Sequence, residues 1–551
     1  MMRAADVLAQ SLVNNGVDRV FCLPGESYLS VIDAFYDYPA IEVIRVRHEG
    51  GGGFMAVADA KYTGKTGVEF VSRGPGATNA SIGIHVAQQD AVPLVLFIGQ
   101  VSSEDIGRHA FQEVNYFDMF KGMAKHVIEI TEADSLAEEV QRAFYIANSH
   151  TRGPVIVSLP ENMLEDQTSN VALEQKTIAT TLPSRLEIKK LYQTIIDAER
   201  PLVIAGGQLG TESGKKLLQE FAEKFEIPVA VAWRRQDIFD HCHPYFASHL
   251  AFNLPPIYRD TLNEADLILA VGTRMGDVTT QGFKIPSAKN PSQLLAHVYP
   301  DSEYLGKNFE TDLAINADSA ETLASLLSLS ENKRYIKREK WVKRVNSLYA
   351  DRASWNGACA DDGVVFGNLI SHLIPYIDDN AVTAMDAGNF ATWVQRLFPY
   401  RTTNVQMASC SGAMGMGVPS AIASSLRDKD RQVVCFVGDG GFLMTGNEMI
   451  LASEYSLPIK FIVSNNSSFG TIRLYQEKSH PDRTLATDLC NPDFVAVAEA
   501  YGIKGYRIED DNQIASVIKA AFSLEGPCLI DVKTSLEYIS AYTTISELRG
   551  E

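Results

Sequence analysis

Asp439 and Asn466 are the two side chains whose types and spacing first suggest chemistry. Both offer hard oxygen donors of the kind Mg²⁺ or Ca²⁺ selects, leaving a backbone carbonyl and ligand phosphates to complete the shell. Asp439 sits in Gly438-Asp439-Gly440-Gly441 directly after the apolar run VVCFV, and Asn465-Asn466 closes the run after IKFIV. Gly440 and Gly441 remove side chains where backbone N–H groups must approach phosphate oxygens at a helix start, whose dipole favours negative charge. Either turn alone is as well explained by ordinary loop chemistry. Asn465, however, follows Gly441 by 24 residues, the length of one strand–helix–strand unit, and the pair together points to a diphosphate held through a divalent cation.

Loops that leave the carboxyl ends of neighbouring parallel strands are where open α/β sheets bind ligands. VVCFV and IKFIV, with the helical stretch NEMILASEY between them, therefore predict a parallel sheet; AVTAMDAG and CLIDVKT extend it over residues 360–540. The same rhythm occurs twice earlier. RVFCL, EVIRVR, GVEFV, PLVLFIG and PVIVSLP punctuate residues 1–165, and RPLVIAGG, IPVAVAW, DLILAVG and QLLAHVYPD punctuate residues 185–330. Short apolar runs alternating with helix-length segments mean parallel α/β sheets, so the expected fold class is α/β with three consecutive parallel-sheet domains. The polar stretch EDQTSNVALEQKTIATTLPS reads as the first linker, and the charged stretch SENKRYIKREKWVKRVNSLYADRASW as an exposed helix leading out of the second domain.

Composition narrows the class of protein. A chain of 551 residues exceeds one core and suggests about three domains, and 46% hydrophobic against 21% charged residues excludes disorder. The net charge of −19, with no dense Lys/Arg run, argues against a nucleic-acid partner. Seven scattered cysteines without a CxxC pair suggest neither a disulfide framework nor a zinc site, and fit a reducing, cytoplasmic setting. The opening MMRAADVLAQSLVNNGVDRVF reads as an amphipathic helix entering a strand rather than a signal peptide, and no apolar stretch is long enough to predict a membrane span.

GDGG followed by NN resembles the motif of the thiamin diphosphate-dependent enzymes. Arg47-His48-Glu49 closes the strand EVIRV, and by this resemblance Glu49 is the superfamily's catalytic glutamate, set against the pyrimidine N1′ of the cofactor. Burial would favour its uncharged form. Gly412-Ala413-Met414-Gly415 resembles the segment that meets the aminopyrimidine: Gly412 and Met414 would contact it through backbone groups, and the Met414 side chain would prop the cofactor in a bent conformation. The resemblance also implies pyrimidine-side contacts from Pro24, Ser72, Pro75 and Asn79, and diphosphate-side contacts from Asn389, Phe390, Gly438, Asp439, Gly440, Gly441 and Asn466. Mg²⁺ would be held by Asp439, Asn466 and the Ser468 carbonyl. Sites of this superfamily lie between chains, so the resemblance implies a homodimer or dimer of dimers in which Glu49 of one subunit serves Asp439 of the other.

Within the superfamily, RGPGATNASIGIHVAQQDAVPLVLFIGQV, HAFQE at 109–113 and SGAMGMGVPSAIAS are similar to acetolactate synthase catalytic subunits. That likeness places Phe111 and Gln112 beside the substrate, with Gln112 in a catalytic role, and implies a carboligase that decarboxylates a 2-oxo acid such as pyruvate and transfers the acyl unit to a second carbonyl. The paired histidines of pyruvate decarboxylases are absent after IGQV; His109 and His126 are isolated and read as structural. The alternative within the class is a decarboxylase or aldehyde lyase without carboligation. Departures cluster on the substrate side: Arg73 precedes Gly-Pro-Gly, Gly25 is followed by Glu26 in place of a glycine, and Tyr475 replaces a pocket tryptophan. Arg73 would either grip a substrate carboxylate or pair with a neighbouring acid. The stretch Gly272-Thr273-Arg274-Met275-Gly276-Asp277 stands where the family has its flavin-adjacent Arg and Asp, which makes FAD doubtful. A nicotinamide dehydrogenase built on AGGQLG at 205–210 lacks the full glycine spacing, and retention of Glu49, Asp439 and Asn466 argues against a non-catalytic subunit. The glycines at 50–53, each unfavourable in a helix by roughly 1 kcal/mol against Ala, suggest close backbone approach behind Glu49.

Overall fold

Strands covered by helices on both faces must be apolar along their whole length. Gly67–Val71, Leu94–Gln100 and Pro154–Pro160 are each buried from end to end and carry only Glu69, Gln100 and Ser158 as polar side chains. They occupy the middle of the first of three six-stranded parallel sheets in a computed structural model that describes residues 1–252, 254–287, 293–329 and 338–550. The first sheet runs Glu42–Arg45, Arg19–Cys22, Gly67–Val71, Leu94–Gln100, Pro154–Pro160, His126–Glu129. The third runs Val405–Met407, Val382–Met385, Val433–Gly438, Lys460–Asn465, Cys528–Lys533, Lys504–Ile508. Numbered within each domain, both have the order 2-1-3-4-6-5. The middle sheet, Phe246–His249, Val229–Val231, Pro201–Ala205, Leu267–Val271, Leu294–Val298, Leu313–Ile315, has the Rossmann order 3-2-1-4-5-6. Three parallel α/β domains thus agree with the pattern of apolar runs.

Within these three sheets the strands without a counterpart among those runs are His126–Glu129, Phe246–His249, Leu313–Ile315, Val405–Met407 and Lys504–Ile508, and all five are sheet edges. Residues 170–184 carry no helix or strand, as a linker should, but Gln167–Thr168 near the start of the polar stretch pairs antiparallel with Met2–Arg3. One expectation needs correction. The charged stretch after the second domain is not simply a solvated helix: its helix Glu339–Ala353 buries Trp341, Val342, Val345, Tyr349 and Arg352, and Trp341 Nε1 donates to the Pro201 carbonyl at 2.8 Å. Tyr349 and Trp341 pack into the two cores of the central sheet; residues 330–337 of that stretch lie outside the described residues. Among the described residues, no helix is long and apolar enough to cross a membrane, and all seven cysteines are free.

The first and third domains share one core, in which Phe54, Met55 and Ile84 join Val418, Ile422 and Phe442. Its axis is the helix Glu49–Thr63, buried from Glu49 to Ala60. This helix lies between Pro75–Asp90 of its own domain and Gly417–Arg427 of the third, and Arg427 clamps it with a two-pronged ion pair to Asp59 at 2.5 and 2.6 Å. Against Pro75–Asp90 the approach is backbone to backbone: a Cβ on Gly83 would stand 2.6 Å from the Gly53 Cα. Gly83→Ala must push the two helices apart, and overpacking of this kind costs about 1–3 kcal/mol; chemical denaturation of the variant should show a loss in that range with an unchanged m-value.

Candidate active site

Asp439 begins the helix Asp439–Thr445 at the carboxyl end of Val433–Gly438, and Asn466 follows Lys460–Asn465 in the neighbouring strand. The two loops meet. The Asp439 carboxylate accepts N–H groups from Gly440 at 2.9 Å and from Ser467 and Ser468 of the asparagine loop, and Asn491 Nδ2 donates to its Oδ2 at 2.8 Å. Burial raises its pKa, and these hydrogen bonds partly offset the effect. Asn466 Oδ1 accepts the Ser468 N–H at 3.1 Å, and the Ser468 carbonyl accepts the Gly470 N–H at 2.8 Å. Nearby, Asn389 donates to the Gly470 carbonyl at 3.2 Å, and Phe390 lies against Gly438 and Gly388. Gly412 and Gly415 take left-handed backbone conformations, φ 71° and 89°, which carry the half-buried Met414 between them. Gly440 and Gly441 have a local reason as well: a Cβ would strike the Phe469 ring at 2.6 Å or the Asp386 carboxylate at 2.0 Å. Burial lifts that Asp386 carboxyl to about 6, against N–H donation from Gly415 and Ala387.

This corner fits a hydrated divalent cation. Asn491 Oδ1 and Ser468 Oγ are buried oxygens without a hydrogen-bond partner, and they stand beside a buried carboxylate whose neighbours include no Lys or Arg among the causes that shift it. Among the described residues no group of three or more His, Cys, Asp or Glu side chains could hold a metal, so a cation here depends on amide, carbonyl and phosphate oxygens around one carboxylate. Asn491 was not among the residues picked from sequence. It also donates to Asn465 Oδ1 at 2.9 Å, and Asn465 in turn donates to Asp531, so it joins both strand ends from a loop with no motif of its own; the turn residues Asn491-Pro492-Asp493 are the sole local signal.

The second group gathers at the carboxyl ends of the first sheet. Glu49 is the first residue of Glu49–Thr63, 7% exposed, with the His48 ring capping the helix through the Gly50 N–H at 3.0 Å. Asn79 Nδ2 donates to Glu49 Oε2 at 3.0 Å, so Asn79 grips the glutamate itself. Pro75 opens the helix that carries Asn79. Ser72 bonds Ser27 at 3.0 Å and packs on Gly25, whose Cβ would stand 2.6 Å from the Ser72 Cβ; Pro24 is exposed beside them. Gln112, at φ 65°, lies over Gly74, and Phe111 next to it is 76% exposed. Arg73 is already paired, to Glu161 at 2.9 Å and to Glu26 at 3.3 Å, although its buried Nε has no partner. Tyr475, 46% exposed, stands on the helix Gly470–Ser479 of the third domain. Arg274 donates to the carbonyls of Gln88 and Gln89, and Asp277 Oδ1 accepts the Val278 N–H.

Among the described residues no hydrogen bond links the Glu49 group to the Asp439 group. Beside the Arg427–Asp59 pair, Glu448 also joins the two domains, accepting the N–H groups of Arg47 at 3.0 Å and His48 at 2.9 Å.

Three family models match in succession: thiamine pyrophosphate enzyme N-terminal TPP binding domain over residues 2–119, central domain over 188–326, and C-terminal TPP binding domain over 386–532. Glu49 falls in the first match, and both metal-type loops fall in the last. The chain is 31% identical to the acetolactate synthase large subunit of Lactococcus lactis subsp. lactis, over 96% of this chain and 92% of the relative. It is 29% identical to the acetolactate synthase isozyme 2 large subunit of Escherichia coli, over 96% and 95%. It therefore belongs to the thiamine pyrophosphate enzymes and, within them, to the family of the acetolactate synthase large subunits.

Asn491→Ala would release Asp439 and Asn465 together. Losing a hydrogen bond to a charged group is worth about 1.5–3 kcal/mol, so thiamin diphosphate affinity measured by fluorescence titration with Mg²⁺ present should fall about tenfold or more.

Proposed function

We propose that this chain is a thiamin diphosphate-dependent carboligase of the acetolactate synthase type. It would cleave CO₂ from a 2-oxo acid such as pyruvate and join the remaining two-carbon acyl unit to the carbonyl of a second molecule. The observation that carries this reading is the buried Glu49 carboxyl with one oxygen, Oε2, fixed by Asn79, which leaves Oε1 to share a proton with a pyrimidine nitrogen. Bound thiamin diphosphate supplies the electron sink for loss of the carboxylate. The chain's own residues hold and orient it: Asp439, the Asn466 side chain and the Ser468 carbonyl for Mg²⁺; Asn389, Phe390, Gly438, Gly440 and Gly441 for the diphosphate end; Gly412, Met414, Pro24, Ser72 and Pro75 for the pyrimidine end. Gly25, Arg73, Phe111, Gln112 and Tyr475 would line the substrate side.

Assembly as a homodimer or dimer of dimers is supported by exposed Ile82 on the helix that carries Asn79, and by exposed Leu443 and Met444 on the helix that begins with Asp439. A partner covering these side chains would bring a second chain over both groups. The capture of the Gln88 and Gln89 carbonyls by Arg274 supports the reading of FAD as doubtful, and seven unpaired cysteines fit a cytoplasmic setting. The working domain limits are 1–165, 185–330 and 360–540.

Incubation with pyruvate, Mg²⁺ and thiamin diphosphate should yield acetolactate; acetaldehyde as the sole product would instead mark a decarboxylase or lyase. Glu49→Gln should lower kcat by at least about 100-fold while cofactor affinity stays within about tenfold, and an active variant would remove Glu49 from the mechanism. Arg73→Ala should raise KM for pyruvate if the guanidinium meets the substrate carboxylate; unchanged kinetics would leave it to its two acidic partners.

A further inference from the structure

Glu448 is fully buried in the turn Gly446–Met449, which follows the helix Asp439–Thr445, and its carboxylate is directed at main chain of the first domain. Oε1 accepts the N–H groups of Arg47 at 3.0 Å and His48 at 2.9 Å, and Oε2 lies 3.1 Å from the Arg47 nitrogen. These two residues span the gap between the first sheet and Glu49: the Val46 N–H still donates to the Cys22 carbonyl at 3.0 Å, and the helix begins at Glu49. Backbone N–H groups inside a protein need partners. The pair falls between ladder and helix, where Glu448 takes it up, and N–H bonds to a carboxylate are stronger than those to a neutral oxygen.

The helix leaves room for this acid. A Cβ at Gly51 would stand 2.6 Å from Glu448 Oε1 and 2.9 Å from its Cγ, so a larger residue there drives the carboxylate off the Arg47 and His48 nitrogens. Joining two domains does not require such an arrangement. The Arg427–Asp59 ion pair joins the same domains at the far end of the helix, and the outward guanidiniums of Arg45 and Arg47 are each tied to Glu454 of the third domain at 2.7 Å. What Glu448 adds is a fixed backbone at the two residues that lead into Glu49. His48, extended at φ −155° and ψ 138°, then caps the helix, and Asn79 holds Glu49 Oε2 at 3.0 Å. Glu49 is thus held from both ends, by Asn79 at its carboxyl and by Glu448 through the main chain before it.

We propose that Glu448 is a positioning residue for Glu49: a carboxylate supplied by the domain that carries the metal-type loops fixes the entry to the helix and so aims the Glu49 carboxyl. A misplacement of about 1 Å can cost about 100-fold in rate. The inference rests on the reading that Glu49 acts on the cofactor pyrimidine, and it adds the residue that sets its direction.

Two measurements on the full-length protein test it, one without cofactor and one with it. In the cofactor-free protein, amide hydrogen exchange read by mass spectrometry should find the Arg47 and His48 amides protected, and at least about tenfold faster to exchange in Glu448→Ala; unprotected amides in the wild type overturn the proposal even if the variant does not fold. At saturating thiamin diphosphate and Mg²⁺, exchange of the thiazolium C2 proton with D₂O, followed by NMR after acid quench, reports how well an acid at the pyrimidine is aimed rather than how firmly the domains adhere. It should slow by at least about tenfold in Glu448→Ala. Gly51→Ala should slow it as well, because the added Cβ displaces the acid although alanine favours a helix. Glu448→Gln, which keeps an oxygen for both N–H groups, should stay within about threefold of wild type. Arg427→Met should lower the Tm and leave C2 exchange unchanged. Wild-type exchange in Glu448→Ala, Glu448→Gln as slow as Glu448→Ala, or Arg427→Met as slow as either refutes the positioning role. Should Glu49→Gln alone slow C2 exchange, this inference alone fails; a Glu49→Gln enzyme that exchanges as fast as wild type fails the reading beneath it.

Discussion

The close approach of other groups to the first turns of the helix Glu49–Thr63 governs the geometry on which everything else depends. Gly50 faces the Asn79 carbonyl and Ile82, Gly51 faces Glu448, Gly52 faces Glu69, and Gly53 meets Gly83. Four consecutive glycines would weaken an isolated helix, since helical stability in proteins comes mainly from tertiary packing. Here the helix is buried along most of its length and held at its far end by Arg427 on Asp59. The packing that compensates for the glycines is the same packing that sets Glu49 next to Asn79.

The first and third domains share one strand order, and each carries one group of candidate site residues. Each sheet presents its ligand-type loops at the carboxyl ends of its strands, as open α/β sheets do: Pro24, Glu49 and Ser72 in one, Asn389, Gly412, Asp439 and Asn466 in the other. The contacts that bind the two domains together, Glu448 to the backbone of Arg47 and His48 and Arg427 to Asp59, come from behind these loops. The half-sites themselves share no hydrogen bond among the described residues, and apolar side chains beside each remain exposed.

The central domain acts as a brace on both. Arg235 and Arg274 donate to the carbonyls of Asp90, Gln88 and Gln89 at the end of the helix Pro75–Asp90, where unpaired carbonyls favour cations. Trp233 donates to the Cys410 carbonyl, two residues before Gly412, and Gln236 exchanges hydrogen bonds with Gln406. The strand ends that a Rossmann order leaves open for ligands are thus partly used to hold neighbours in place.

Much of this was legible in the residues. Strands covered on both faces, such as VVCFV and PLVIA, are apolar without interruption and declare themselves, whereas the five strands of the six-stranded sheets absent from that reading lie at sheet edges, where one side needs no apolar partner. Asp439, Asn466 and the glycines beside the apolar runs could be singled out as candidates because metal and phosphate chemistry restricts residue type within a short span. Asn491 and Glu448 were not, since each acts on residues distant in the chain, Glu448 on Arg47 and His48 some 400 positions away. Glu69 reads locally as one polar residue in a strand, and the glycines at 50–53 as a weak helix. The sequence by itself determined three parallel α/β domains and singled out two loops that the fold brings together, because periodicity and residue type are local. Only the tertiary structure decided that glycines on one helix make room for carboxyls from another strand and another domain, because burial and close approach belong to no single segment.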